Sequence, residues 1–150
     1  MAQFKSYDDI GVSTEGHVAT IEIQRPPHNF FDYSLIQQIA DAMETIDEDK
    51  NLRCVVLCAQ GKSFCAGANF GSDGSSANRS QENNPTDKSS HLYVEAVRLF
   101  ATKTPIVGAI QGAAIGGGLG LSLVPDFRVA CPESRFAANF TRLGFHPGFG

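Results

Sequence analysis

The chain has no tryptophan, two methionines and three tyrosines, and none of its four cysteines stands in a C-x-x-C pair. Cys54, Cys58, Cys65 and Cys131 are scattered, as are His17, His28, His91 and His146, so the spacing of a zinc site is missing and no metal is expected. Cys54 and Cys58 fall in "CVVLC", which reads as buried strand in a reducing compartment. Clusters of Lys and Arg are lacking and the net charge is -4, which argues against a nucleic-acid groove. The amino-terminal "MAQFKSYDDIG" lacks the apolar core of a signal peptide. The longest apolar segment, about 106–125, is broken by glycines, ends at "PD" and has no basic flanks, so it does not read as a membrane span. A cytoplasmic protein without nucleic-acid or membrane partners is expected.

What is present is a pattern of alternating elements, expected to form one domain over residues 1–150, a size that buries roughly 70% of the unfolded surface. "HVATIEIQRP" alternates as a strand does and is stopped by "RPPHN". In "FDYSLIQQIADAMETIDEDK", Leu35, Ile36, Ile39, Ala42, Met43 and Ile46 form one helical stripe, with Asp32 or Ser34 as cap. "RCVVLCAQG" is apolar enough for a strand covered on both faces. Residues 71–90 are rich in Ser, Asn and Gly and are expected to be a mobile loop. "HLYVEAVRLFATK" resumes helical spacing with Leu92, Val94, Val97, Leu99 and Phe100. A strand at "TPIVGAIQG", a helix from Gly116 to Val124 and short extended pieces in "FRVACPESRFAANF" complete an α/β order of parallel crossover units.

The densest feature is "GAAIGGGLG", with five glycines in nine residues. It is not a P-loop, because Gly118 stands where the lysine belongs. It fails the G-x-G-x-x-G fingerprint from either Gly116 or Gly118, and the serine elbow G-x-S-x-G because Val124 ends the pattern. Two readings stand on the glycines alone. Gly112, Gly116 and Gly120 recur every four residues and would pack one helical face closely. Alternatively, a strand-to-helix turn aims a backbone N–H at developing negative charge. "FCAGAN" adds a second small-residue turn after the preceding strand, and one N–H from each would make an oxyanion hole.

The set "NFFDYSLIQQIADAM", "VVLCAQGKSFCAGAN", "KTPIVGAIQGAAIGGGLGLSL", "DFRVA" and "RFAANFTRLGFHPGFG" resembles the crotonase superfamily, the enoyl-CoA hydratase/isomerase family, from about residue 16 onward. The resemblance implies a spiral of ββα units and an acyl-coenzyme A thioester as substrate, with no separate cofactor. It implies a role in fatty acid metabolism, and further helices beyond Gly150 that complete the acyl pocket and a homo-trimer or hexamer. By motif position the oxyanion donors are Ala68 and Gly117, and Arg25, Lys62 and Ala66 are expected contacts of the coenzyme A moiety. Hydratases of the family carry two glutamates, at the positions that are Gly120 and Phe140 here. Hydration needs a base for water and an acid for carbon, and neither residue serves. His146 is the substitute acid/base candidate, its ordinary pKa lying near neutrality. The expected activity is therefore enolate stabilisation by a lyase or isomerase on acyl-CoA, or non-catalytic acyl-CoA binding. Asp126 is expected to tie down structure, Glu95 and Glu133 to be solvated, and Asn139 and Thr141 are able to order a water.

Overall fold

The computed structural model describes residues 2–69, 92–144, 146 and 147. The loop expected at 71–90 lies outside the described residues. Of the two cap candidates for the first helix, Asp32 and Ser34, the structure uses Asp32, and the buried stripe follows the sequence pattern. Helix α1 (Tyr33–Glu48) buries Leu35, Ile36, Ile39, Ala40, Ala42, Met43 and Ile46, the predicted stripe with Ala40 added. Asp32 is its N-cap, accepting from the Leu35 N–H at 3.0 Å. The same carboxylate meets Arg25 Nη2 at 2.7 Å, so one buried group both starts the helix and neutralises a half-buried cation.

Before α1 come strands β1 (Ile10–Glu15) and β2 (Val18–Ile23); after it comes β3 (Cys54–Ala59). Helix α2 (Leu92–Leu99) precedes β4 (Ile106–Ile110) and β5 (Ala113–Ile115). Helix α3 (Gly117–Leu123), β6 (Phe127–Ala130) and β7 (Arg135–Ala137) follow, then a 3-10 turn at Thr141–Leu143. The described strands form a sheet in the order β1-β2-β3-β4-β6 and a second pair, β5-β7. Strands β2, β3, β4 and β6 pair in parallel, as expected, but β1 and β2 are antiparallel. The hairpin was hidden because β1 buries only Ile10 and so carries no apolar alternation.

The repeating unit is one strand in the large sheet, one in the small sheet, then a helix. Thus β4 enters the first sheet, β5 the second, and α3 returns the chain to β6 in the first. The preceding turn repeats the scheme: after β3, Cys65 bridges Ala114 of β5 in parallel, before α2. The architecture is the α/β spiral of ββα units that the sequence implied. Asp126 ties two turns together by accepting from the Ile106 N–H at 2.8 Å.

Three local expectations change. Strand β3 alternates buried with half-buried residues, so its second face is only partly covered. On α2, Val94, Val97 and Phe100 at its end are exposed, while Glu95, Ala96 and Leu99 face inward. Glu95, expected to be solvated, is buried, where it accepts from the Tyr33 hydroxyl at 3.2 Å and from Arg98. Arg98 also bonds Asp41 and Glu44 of α1, so the orientation of α2 is set by a polar clamp that hydrophobic periodicity does not register.

Replacing Asp32 by Ala removes the cap and strands Arg25. Denaturant titration should show a loss of about 2–4 kcal/mol, and Asp32→Asn, which keeps an acceptor at the cap, should lose less. Asp41 gives a pH-dependent counterpart. Burial alone would raise its carboxyl, but hydrogen bonds from Lys5 and Arg98 outweigh that and hold it below its ordinary 3.8. A carboxylate lowered in the folded state stabilises fully above its unfolded pKa and loses that contribution as pH falls through the folded value. Thermal unfolding should show a stability loss below pH 3.8 that is smaller in Asp41→Asn.

Candidate active site

The site is built where three chain segments approach too closely for side chains. Cys65 N–H donates to the Ala113 carbonyl at 2.9 Å, and the Ile115 N–H to the Cys65 carbonyl at 3.0 Å. On the other edge of β5, the Gly116 N–H donates to the Ala137 carbonyl at 2.9 Å. These ladders bring the "CAGAN" turn and the "GGG" turn side by side.

The glycines make the approach possible. A Cβ on Gly118 would lie 2.0 Å from the Cys65 carbonyl oxygen, and one on Gly112 1.7 Å from that of Lys62. Gly67 has a φ of +82°, and a Cβ there would lie 2.7 Å from the Ile115 carbonyl oxygen. A Cβ on Gly117 would strike the ring of Phe31 at 2.7 Å. Close packing is therefore real, but not as the single helical face the four-residue spacing predicts. Gly112 precedes β5 and Gly116, at φ +55°, is the N-cap of α3, so neither is inside the helix.

Among the described residues, the N–H groups of Ala68 and Gly117 donate to no acceptor, whereas those of Cys65, Ala66 and Gly116 are spent within the fold. Ala66 donates to the His28 carbonyl at 2.9 Å, and the Gly67 carbonyl accepts from Phe31 N–H at 2.9 Å. Loop 25–31 thus lies along the first turn.

Asn29 locks that loop and had no signal beyond a strand stop in "RPPHN". It is fully buried at φ +50°. Its Oδ1 accepts from the Arg25 N–H at 2.9 Å, and its Nδ2 donates to the carbonyls of Gln60 and Ser63, both at 2.8 Å. This brings Arg25, Lys62 and Ala66 to one region. The Arg25 guanidinium is committed to Asp32, to Asp9 at 3.3 Å and to the Phe30 carbonyl, while Lys62 is exposed. Buried Cys65 is no thiolate nucleophile, because burial pushes its thiol up to about 12.

Gly120 and Phe140, where the resemblance leads one to expect hydratase glutamates, are in the same neighbourhood. Gly120 is buried in α3, and its N–H donates to the Gly116 carbonyl at 3.1 Å. Phe140 Cζ comes within 3.9 Å of a Cβ placed on Gly116, and Asn139 Oδ1 within 3.1 Å. His146 is exposed, and no described contact joins it to the glycine turn. No group of three His, Cys, Asp or Glu side chains able to hold a metal occurs among the described residues. No described helix is long and apolar enough to cross a membrane.

A spiral of ββα units with two facing small-residue turns defines a crotonase-type scaffold. The family model for enoyl-CoA hydratase/isomerase matches residues 13–150, and the chain belongs to that family. It is 33% identical over 145 residues to "Probable enoyl-CoA hydratase EchA14" of Mycobacterium tuberculosis, covering 96% of this chain and 55% of that one. It is 29% identical over 148 residues to the crotonyl-CoA hydratase of Syntrophomonas wolfei, covering 97% and 55%. A solved enoyl-CoA hydratase of Shewanella pealeana matches with a TM-score of 0.80 and 26% identity, over 93% of this chain and 53% of that one. The chain thus spans about half the length of the curated relatives it matches.

The close approach gives a direct test. Gly112→Ala and Gly118→Ala should each cost more than about 4 kcal/mol or abolish cooperative unfolding, since a backbone carbonyl has to move. Gly16→Ala, also at positive φ but in open space, should cost only about 1–2 kcal/mol in the same denaturation assay.

Proposed function

We propose that the protein binds an acyl-coenzyme A thioester and holds the oxygen of its enolate between the N–H groups of Ala68 and Gly117. The observation that carries this reading is the pair of unspent N–H groups on turns joined through the Cys65–Ala114 bridge. Backbone donors fixed in a ladder need no reorganisation as charge develops, and each is typically worth about 10²–10³ in rate. Arg25, Lys62 and Ala66 form the coenzyme A side of the site, where Lys62 has the freer charge. The activity is that of a lyase or isomerase acting on the α-carbon, with His146 as candidate acid/base. A cytoplasmic homo-trimer or hexamer in fatty acid metabolism accords with the family.

Hydration itself is not the proposed reaction. Gly120 and Phe140 carry no titratable group, and each missing acid/base residue typically removes about 10²–10⁴ in rate. The same observation favours a second reading, an acyl-CoA-binding protein without turnover.

Calorimetry should detect binding of acyl-CoA thioesters. Mass spectrometry over a panel of acyl- and enoyl-CoA esters should show hydration of crotonyl-CoA at least about 10⁴-fold slower than a two-glutamate hydratase supports. Turnover of any ester that is lost in His146→Ala selects the enzyme over the binding protein. Binding without turnover selects the reverse, and absence of binding to every thioester would falsify both.

A further inference from the structure

We infer that Asn139 is a third polar contact for the thioester oxygen, its carboxamide donating beside the Gly117 N–H. This rests on the reading of the glycine turn as a thioester site.

The placement follows from the small sheet. Ile115 and Ala137 are the last residue pair of β5 and β7, and the Gly116 N–H extends the ladder to the Ala137 carbonyl. Gly117 and Asn139 therefore each stand two residues beyond the same closing pair. The side chain of Asn139 turns back over Gly116, with Oδ1 3.1 Å from the Cβ position of that residue. The carboxamide thus packs against Gly116, the residue whose carbonyl carbon bears the Gly117 nitrogen.

Asn139 is half-buried, and among the described residues its side chain has no hydrogen-bond partner. The contrast with Asn29, whose oxygen and nitrogen are both spent on backbone groups, is direct. The hydroxyl on α3 is no alternative, since Ser122 is buried and donates to the Leu119 carbonyl at 2.7 Å. The surroundings contributed by Phe31 and Phe140 are aromatic. A half-buried amide with no protein partner there is open to a ligand oxygen. The two ends of a carboxamide exchange by rotation, so an anionic oxygen selects the NH₂ end. Asn139 transfers no proton in this role; it stabilises charge and so takes no part in the acid/base step that the glutamate positions have lost.

The test uses acetoacetyl-CoA, a β-ketoacyl thioester whose enolate absorbs in the near ultraviolet, with free coenzyme A as control. The wild-type protein should bind the thioester and raise its enolate absorbance. Asn139→Ala should weaken thioester binding about 10- to 100-fold and reduce the enolate band, leaving coenzyme A affinity unchanged. Asn139→Asp keeps the shape but opposes the enolate, so its band should fall further; it serves also if the alanine variant melts. Wild-type binding with an unchanged enolate band in the folded variants overturns the role of Asn139 alone. A wild-type protein that binds no thioester overturns this inference together with the function on which it rests.

Discussion

The structure depends on how closely the backbone of β5 and the turn that follows it can be approached. Cys65 lies along one edge of β5 and β7 along the other, and Gly118 then folds back onto the Cys65 carbonyl. No residue with a Cβ fits at Gly112 or Gly118 without displacing main chain. Glycine loses the most backbone freedom on folding, and this density of it is stabilising only because the ladder it permits buries the polar groups of three strands at once. Close packing of the glycines is observed, and among the described residues the N–H groups of Ala68 and Gly117 beside it have no partner.

The polar interior shows a division of labour. Asn29, Asp32, Arg25 and Asp9 are engaged with one another, with backbone and, for Asp9, with Ser34 and Gln38, and they fix the loop that lays Phe31 over Gly117. Glu95, Tyr33, Arg98, Asp41 and Glu44 do the same between α1 and α2. A buried polar group with every partner present specifies geometry, whereas one left unspent is a cost that a ligand can remove. Among the described residues the N–H groups of Ala68 and Gly117 and the side chain of Asn139, all half-buried, are left without a partner.

Much of this was legible in the chain. The α1 stripe, with Asp32 one of its two cap candidates, and the parallel β2, β3 and β4 follow from local pattern, and the tie made by Asp126 was implied by the resemblance. Strand β1 was not legible because it buries one residue, and Glu95 was misread because its burial depends on Tyr33, 62 residues away, and on Arg98 of its own helix, which reaches Glu44 and Asp41 54 and 57 residues away. Of the candidate site, the paired small-residue turns were visible in the motifs. Asn29 and Phe31 were not, since "PPHNF" carries no sign of which backbone it will meet.

The sequence by itself determined the class of fold, because apolar spacing fixes which segments are strands and which are helices, and the ordered motifs fix the family. It also raised the expectation, carried by the resemblance, that Gly120 and Phe140 stand where hydratases keep their glutamates. Only the tertiary structure decided which glycines meet backbone, which polar groups are spent, and that the Asn139 side chain lies against Gly116. Those are properties of distances between segments far apart in the chain, set by sheet register and by the approach that glycine allows, and neither is written in local periodicity.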